Sequence, residues 1–265
     1  MPMANVNGIH LHYRFDGPAT GTVVLLSNSL ASDLHMWDRQ VPALVEAGYR
    51  VLRYDSRGHG RSDVPAGPYT FEVLTADALG LMDAFGLTKI HFCGLSMGGM
   101  VGQMLGTKHG SRLLSLVLAS TAAVMPDTKI LDERSAAVRK GGMAVWAGPA
   151  IDRWFTKAGQ ERLKADVERV RQTILRTPME GFCASSAALS TMDQRESIRA
   201  ITTPTLILVG EKDPGTPPAS SKFIHERIAS STLRIIPGAA HFVNVEQADL
   251  FNGALLGFLG RQDAV

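Results

Sequence analysis

The sequence predicts an α/β fold, a mostly parallel central sheet flanked by helices, with an inserted helical segment. Three observations carry this expectation. Short apolar runs alternate with amphipathic stretches over residues 1–121, the alternation stops over 122–196, and it resumes over 197–265. With 265 residues, 45% hydrophobic and 20% charged, the chain can bury a core of domain size. Its 27 basic and 25 acidic residues are scattered, and a net charge of +2 gives no basis for nucleic-acid binding.

Ile9 to Phe15 alternates apolar and polar residues and stops at Asp16-Gly17-Pro18, the pattern of a strand closed by a turn. Thr22-Val23-Val24-Leu25-Leu26 reads as a strand covered on both faces. Tyr49 to Asp55, Lys89 to Cys93 and Leu113 to Ala119 follow as strands, with helices at Gln40 to Ala47, Thr70 to Phe85 and Met97 to His109. In the second helix Phe71, Leu74, Ala78, Leu81 and Met82 recur at helical spacing. From Ala122 to about Ile198 no buried strand is legible. Three helix-like segments, much of the Arg and Lys, and both Trp146 and Trp154 occupy that stretch. Strand Thr205 to Val209, a helix near Ser220 to Ile228, strand Leu233 to Ile236 and a last helix from Gln247 to Leu259 complete the order.

Cys93 and Cys183 are too few for a disulfide framework or a thiolate metal site. The first residues lack the basic start and apolar stretch of a secretion signal, and no run approaches the ~18 apolar residues of a membrane span. A soluble cytoplasmic protein is expected, with no membrane partner.

Gly94-Leu95-Ser96-Met97-Gly98-Gly99 lies directly between a strand and a helix. A strand that turns abruptly into a helix strains the turn residue, and only small neighbours at Gly94 and Gly98 avoid a clash. Ser96 then projects at a helix N-terminus, where developing negative charge is favoured. It is the expected nucleophile. Gly98, Gly102 and Gly106 recur at intervals of four, allowing that helix to pack closely on the sheet. A serine hydroxyl needs a base, and the base needs an orienting partner. Asp213 lies in the loop after strand Thr205–Val209, and His241 in the loop after Leu233–Ile236, so all three fall on the carboxyl edge of the sheet. Glu211 and Asp127 remain alternatives for the acid. Oxyanion donors are expected at the N–H of Met97 and, from the loop Ser27-Asn28-Ser29-Leu30-Ala31-Ser32, the N–H of Leu30. The other seven histidines are read as non-catalytic, with His35 and His59 nearest the active edge. No pair has metal-ligand spacing, and neither metal nor cofactor is expected.

Asp55-Ser56-Arg57-Gly58-His59-Gly60-Arg61-Ser62, the serine turn and Gly210-Glu211-Lys212-Asp213 together resemble the α/β-hydrolase superfamily. The resemblance narrows to the 3-oxoadipate enol-lactonases. Leu26-Ser27-Asn28-Ser29-Leu30, Asp33 to Asp38, Arg53 to Gly60, Gly67 to Thr70, His91 to Met100, Thr216 to Pro218 and Ala240 to Gln247 carry it. Asn28-Ser29 is the most specific part, because most relatives have His-Gly there. Val243 departs from the serine that relatives often carry, and the insertion matches less distinctly.

The resemblance implies Ser96 as nucleophile, Asp213 as acid and His241 as base, acting without a cofactor to open 3-oxoadipate enol-lactone to 3-oxoadipate. It also implies a small lactone partner bearing a carboxylate. Arg134, Arg139, Lys140 and Arg153 are candidate cations for that group, with Trp154 as an aromatic wall or indole donor. Met36, Trp37 and Met97 are read by default as apolar packing, with lining the pocket as the alternative, whereas Arg57 is expected to pair within its loop region. A carboxylesterase, a carbon–carbon bond hydrolase or a cofactor-free perhydrolase would share this triad. A serine at position 96 argues against dehalogenases and epoxide hydrolases of the same fold, whose nucleophile is a carboxylate. A non-catalytic ligand-binding protein that kept the fold is the remaining rival.

Overall fold

A computed structural model describes residues 2–125 and 127–263. Met1, Pro126, Ala264 and Val265, which the expected segment boundaries include, lie outside them. The apolar runs form the middle of an eight-stranded sheet. In chain order the strands are β1 (Met3–Val6), β2 (Ile9–Asp16), β3 (Val23–Ser27), β4 (Arg50–Tyr54), β5 (Ile90–Leu95), β6 (Leu113–Ala119), β7 (Thr205–Gly210) and β8 (Ser231–Ile236). Across the sheet they lie β1-β2-β4-β3-β5-β6-β7-β8. β1–β2 and β2–β4 pair antiparallel, and every pairing from β4 to β8 is parallel. Every residue of β3, β5 and β7 is buried, because helices cover both faces there. β8, at the edge, alternates between half-buried and exposed positions for most of its length.

The helices that support the sheet are α1 (Val41–Glu46), α2 (Phe71–Ala84) and α3 (Met97–His109). Thr70 caps α2 through its hydroxyl, which accepts the Val73 N–H. Between β6 and β7 the chain forms α4 (Lys129–Gly141), α5 (Ala144–Trp154), α6 (Lys157–Arg162), α7 (Lys164–Arg176) and α8 (Met179–Thr191). An antiparallel bridge between Val124 and Asp193 joins the outgoing and returning chain at the base of this stretch. After β7 come α9 (Pro218–His225), α10 (Val243–Glu246) and α11 (Ala248–Asp263).

Two expectations need correction. β1 was not foreseen, and the segment between β6 and β7 holds five helices rather than three. Only short breaks separate α5, α6 and α7, so their periodicity runs together in the sequence. The chain passes from β3 to β4 on one side and returns to β5 on the other. That reversal opens a crevice at the carboxyl ends of the strands, where ligands settle in open α/β sheets. No described helix is long and apolar enough to cross a membrane.

Candidate active site

Ser96 occupies the single residue between β5 and α3, with φ +56° and ψ −114°. For a residue with a Cβ this is a strained conformation, held only because its surroundings leave no other. Its N–H donates to the Ala119 carbonyl at 2.9 Å, and its own carbonyl accepts from the Met100 N–H at 3.0 Å and the Thr121 hydroxyl at 2.9 Å. The neighbouring glycines leave room for the turn. A Cβ on Gly94 would strike the Gly98 carbonyl, and one on Gly98 would strike the Ser27 carbonyl. Both obstacles are backbone, which cannot rotate away.

Asp213 follows β7 and His241 follows β8, and both are buried. A carboxylate can only accept, so the imidazole carries its proton on Nδ1 and donates to Asp213 Oδ2 at 2.8 Å. The Thr216 hydroxyl donates to the same oxygen at 2.8 Å, while Oδ1 accepts the N–H groups of Gly215 and Thr216 at 2.8 and 3.0 Å. Burial would raise the Asp213 carboxyl. The charge and hydrogen bond of His241, with the Thr216 donors, outweigh it and hold the group below the ordinary carboxylate value. The alternative acids are elsewhere. Exposed Glu211 accepts from the Gly238 N–H at 3.1 Å, and exposed Asp127 from the Lys129 N–H at 3.1 Å.

With Nδ1 engaged, Nε2 is the imidazole nitrogen left for chemistry. His241 and Ser96 line one cavity. Among the described residues they share no hydrogen bond, the open arrangement common before substrate draws such groups together.

The loop after β3 forms another wall. Asn28 fixes it, accepting the Trp37 indole N–H at 2.9 Å and donating to the Tyr54 carbonyl at 2.7 Å. Its own carbonyl accepts the Gly98 N–H at 2.9 Å, joining the loop to the serine turn. The Ser29 N–H is turned onto the Met36 sulfur at 3.3 Å. The next amide, Leu30, has no protein acceptor among the described residues, and Leu30 lines the cavity. Met97 is the first residue of α3, so its N–H has no carbonyl one turn earlier to bond.

Helices α4, α5 and α8 close the far side. Arg134, Trp146, Arg153 and Trp154 line the cavity with Leu131 and Leu189. Arg134 lies 3.9 Å over the Trp146 ring. Burial, with Arg153 nearby, pushes its guanidinium down to about 10, so it remains charged at neutral pH. No carboxylate pairs with Arg134 or Arg153 among the described residues. Trp154 stacks on Phe242 at 4.4 Å and on His241 at 6.5 Å. Among the described residues no three His, Cys, Asp or Glu side chains are disposed to hold a metal.

A family model for the alpha/beta hydrolase fold matches residues 22–248. The chain belongs to the α/β-hydrolase family. It is 35% identical over 253 residues to 3-oxoadipate enol-lactonase 2 of Acinetobacter baylyi, covering 96% of this chain and 94% of the relative. The crystal structure of the enol-lactonase from Burkholderia xenovorans LB400 matches with a TM-score of 0.95 at 39% identity, over 98% of this chain and 100% of that one. A thermophilic esterase from Thermogutta terrifontis, solved with malate bound, matches with a TM-score of 0.91 at 30% identity, over 98% of each chain.

In this hydrolase several candidate pocket residues stand elsewhere. Arg139 is on the outside of α4, paired with Glu180 at 2.9 Å, and Lys140 is exposed beside it. Arg134 and Arg139 are five residues apart, about 140° around a helix, so they cannot share a face. Met36 and Trp37 lie beneath the β3 loop, and Met97 faces a separate crevice on the β4 side; none lines the cavity. Arg57 pairs outside its own loop, with Asp77 on α2, through bonds of 2.5 and 2.6 Å. His59 is buried with Nδ1 on the Arg57 carbonyl at 3.1 Å, and His35 pairs with Asp38. Trp146 was missed. Its spacing of seven and eight residues from Arg153 and Trp154 was the available signal, since such positions share a helix face.

Proposed function

We propose that this protein is a serine hydrolase that opens a small carboxylate-bearing enol-lactone, of the 3-oxoadipate type, through an acyl-enzyme. The observation that carries the carboxylate is the pair of guanidinium groups without a carboxylate partner among the described residues, Arg134 and Arg153, that line the same cavity as Ser96 and His241. Two cations held in a partly apolar wall call for an anionic partner. In this reading the carboxylate is held beneath α4 and α5 with the lactone carbonyl over Ser96.

The Ser96 hydroxyl attacks that carbonyl as His241 Nε2 takes its proton, and Asp213 holds the imidazole and its developing charge. The carbonyl oxygen, now an oxyanion, lies between the N–H groups of Leu30 and Met97. Donors of this kind are worth about 10²–10³ in rate. Collapse breaks the ring C–O bond and expels an enolate, a better leaving group than an alkoxide. The enolate takes up the proton and becomes the keto group of the product chain. Water, deprotonated by His241, then attacks the acyl carbonyl and releases Ser96.

The likeness to the Thermogutta terrifontis esterase favours a second reading, hydrolysis of simple esters. Comparison of kcat/KM for 3-oxoadipate enol-lactone and for neutral p-nitrophenyl esters decides between them. The enol-lactone should lead by about 10–150-fold, since a buried charge-assisted contact contributes roughly 1.5–3 kcal/mol. Equal or higher ester activity would leave the esterase reading in its place.

A further inference from the structure

The loop that carries His241 is tied to the helices above the cavity by a side chain that takes no part in the chemistry above. Glu246 ends α10, five residues after His241, and is 1% exposed. Its carboxylate oxygens reach in two directions. Oε2 accepts the Ala240 N–H at 2.8 Å, at the residue immediately before His241. Oε1 accepts the Thr156 N–H at 3.0 Å and also the Thr156 hydroxyl, at the start of α6. Thr156 stands two residues beyond Trp154, whose ring lines the cavity and whose carbonyl accepts the Phe242 N–H at 2.9 Å. The α6 side is shaped around this carboxylate, since a Cβ on Gly159 would collide with it.

A buried carboxylate is retained at a cost unless its lone pairs are filled. Here three donors fill them, and no cation pairs with the group among the described residues. The backbone on either side of the imidazole is therefore fixed to α5 and α6 rather than to the sheet alone.

We propose that Glu246 is a positioning residue. It fixes where the His241 imidazole stands relative to Ser96 and makes that placement depend on the seating of the α5–α6 turn. The proposal rests on the reading of Ser96, Asp213 and His241 as the hydrolytic group.

The test compares Glu246→Gln, Thr156→Val and Thr156→Ser with wild type, using p-nitrophenyl acetate and the enol-lactone. Folded fractions come from circular dichroism. Glutamine keeps the shape but turns an NH2 group toward backbone donors, so one of the two attachments is lost. A displacement approaching 1 Å should lower kcat about 10–100-fold per folded molecule, with KM held within about two-fold. Thr156→Val should move kcat the same way by less, and Thr156→Ser should keep the wild-type kcat. If Glu246→Gln and Thr156→Val lower only the unfolding temperature, or if Thr156→Ser is as slow as Thr156→Val, Glu246 is merely structural. Wild type inert toward both substrates would bring down the hydrolytic reading and this proposal with it. Active wild type with unaffected variants would remove the proposal alone.

Discussion

Ser96, Asp213 and His241 stand on turns whose backbone and buried side chains are tied to the sheet. Arg134, Trp146, Arg153 and Trp154 project from helices whose outer faces meet solvent. Some of their ion pairs differ in the same way, although Lys108–Glu72 beside the sheet is exposed and Asp166 on α7 is buried between Arg39 and Arg169. Around the sheet Arg57 pairs with Asp77 and Arg53 with Asp16, with little exposure of any partner. On α4 to α8, Lys129–Glu133, Arg139–Glu180 and Lys157–Asp152 are exposed at both ends. Exposed pairs contribute little, whereas a buried pair that loses one member leaves a desolvated charge behind. In the proposed reading the reacting groups thus stand among buried pairs such as Arg57–Asp77 that cannot be exchanged singly, whereas the proposed recognition residues stand on helices whose pairs are mostly exposed.

The sharpest way to break this comparison is at the edge. Ser96→Ala and His241→Ala should each lower kcat by about 10⁴-fold or more, with circular dichroism and unfolding temperature near wild type. Asp213→Asn should approach the same loss, because a neutral amide no longer imposes the Nδ1–H tautomer. Turnover within ten-fold of wild type in Ser96→Ala would remove the nucleophile from this position.

Next in size is Arg57→Ala, which leaves Asp77 buried without its cation. It should cost about 3–5 kcal/mol in denaturant unfolding. Arg139→Ala, by contrast, should shift stability by less than about 1 kcal/mol, as befits an exposed pair. Equal costs would mean that the two regions do not differ in this respect.

The edge was legible in the sequence for the same reason that it is rigid. Gly94 and Gly98 are dictated by backbone approach, the loop bearing Asp213 follows the wholly apolar run of interior strand β7, and the loop bearing His241 follows the shorter apolar run of edge strand β8. The helices were less legible because each residue's role depends on a rotation that spacing alone leaves open. Arg139 and Arg134 look alike in the sequence, and only the face that α4 turns inward separates them. β1 escaped for a different reason. Four residues, Met3 to Val6, are too short to show periodicity, although Asn7-Gly8 is a strong two-residue hairpin signal. Asn7 and Gly8 both have positive φ, +50° and +76°, as that turn requires.

A smaller effect sharpens the role of the helices. Arg134→Gln should raise KM for the enol-lactone about 10–50-fold while leaving neutral ester turnover within about three-fold. Loss of both activities together would place Arg134 in the structure rather than in recognition.

The smallest expected effect lies at the seam between the regions. Asp33, in the loop after β3, faces a polar cavity whose opposite wall is Thr173, Arg176 and Thr177, at the end of α7. Burial, and then the charge of Asp55, raise its carboxyl above the ordinary value, so the folded state disfavours the anion. The side chain also caps the turn at Leu34–Trp37 by accepting the His35 N–H at 3.0 Å, a bond an asparagine oxygen can replace. Asp33→Asn should therefore raise the unfolding temperature at pH 7, by on the order of 1 °C. The sign of the pH dependence follows from the raised value. Above the folded pKa the wild type bears the full penalty of its charge, and below the unfolded value, about 3.9, it is protonated in both states. The advantage of the variant should accordingly be complete at neutral pH and fade as the pH falls through the carboxylate range. A variant less stable than wild type at pH 7 would show that the anion at this seam is stabilised by its surroundings, and that α7 is held to the edge through charge.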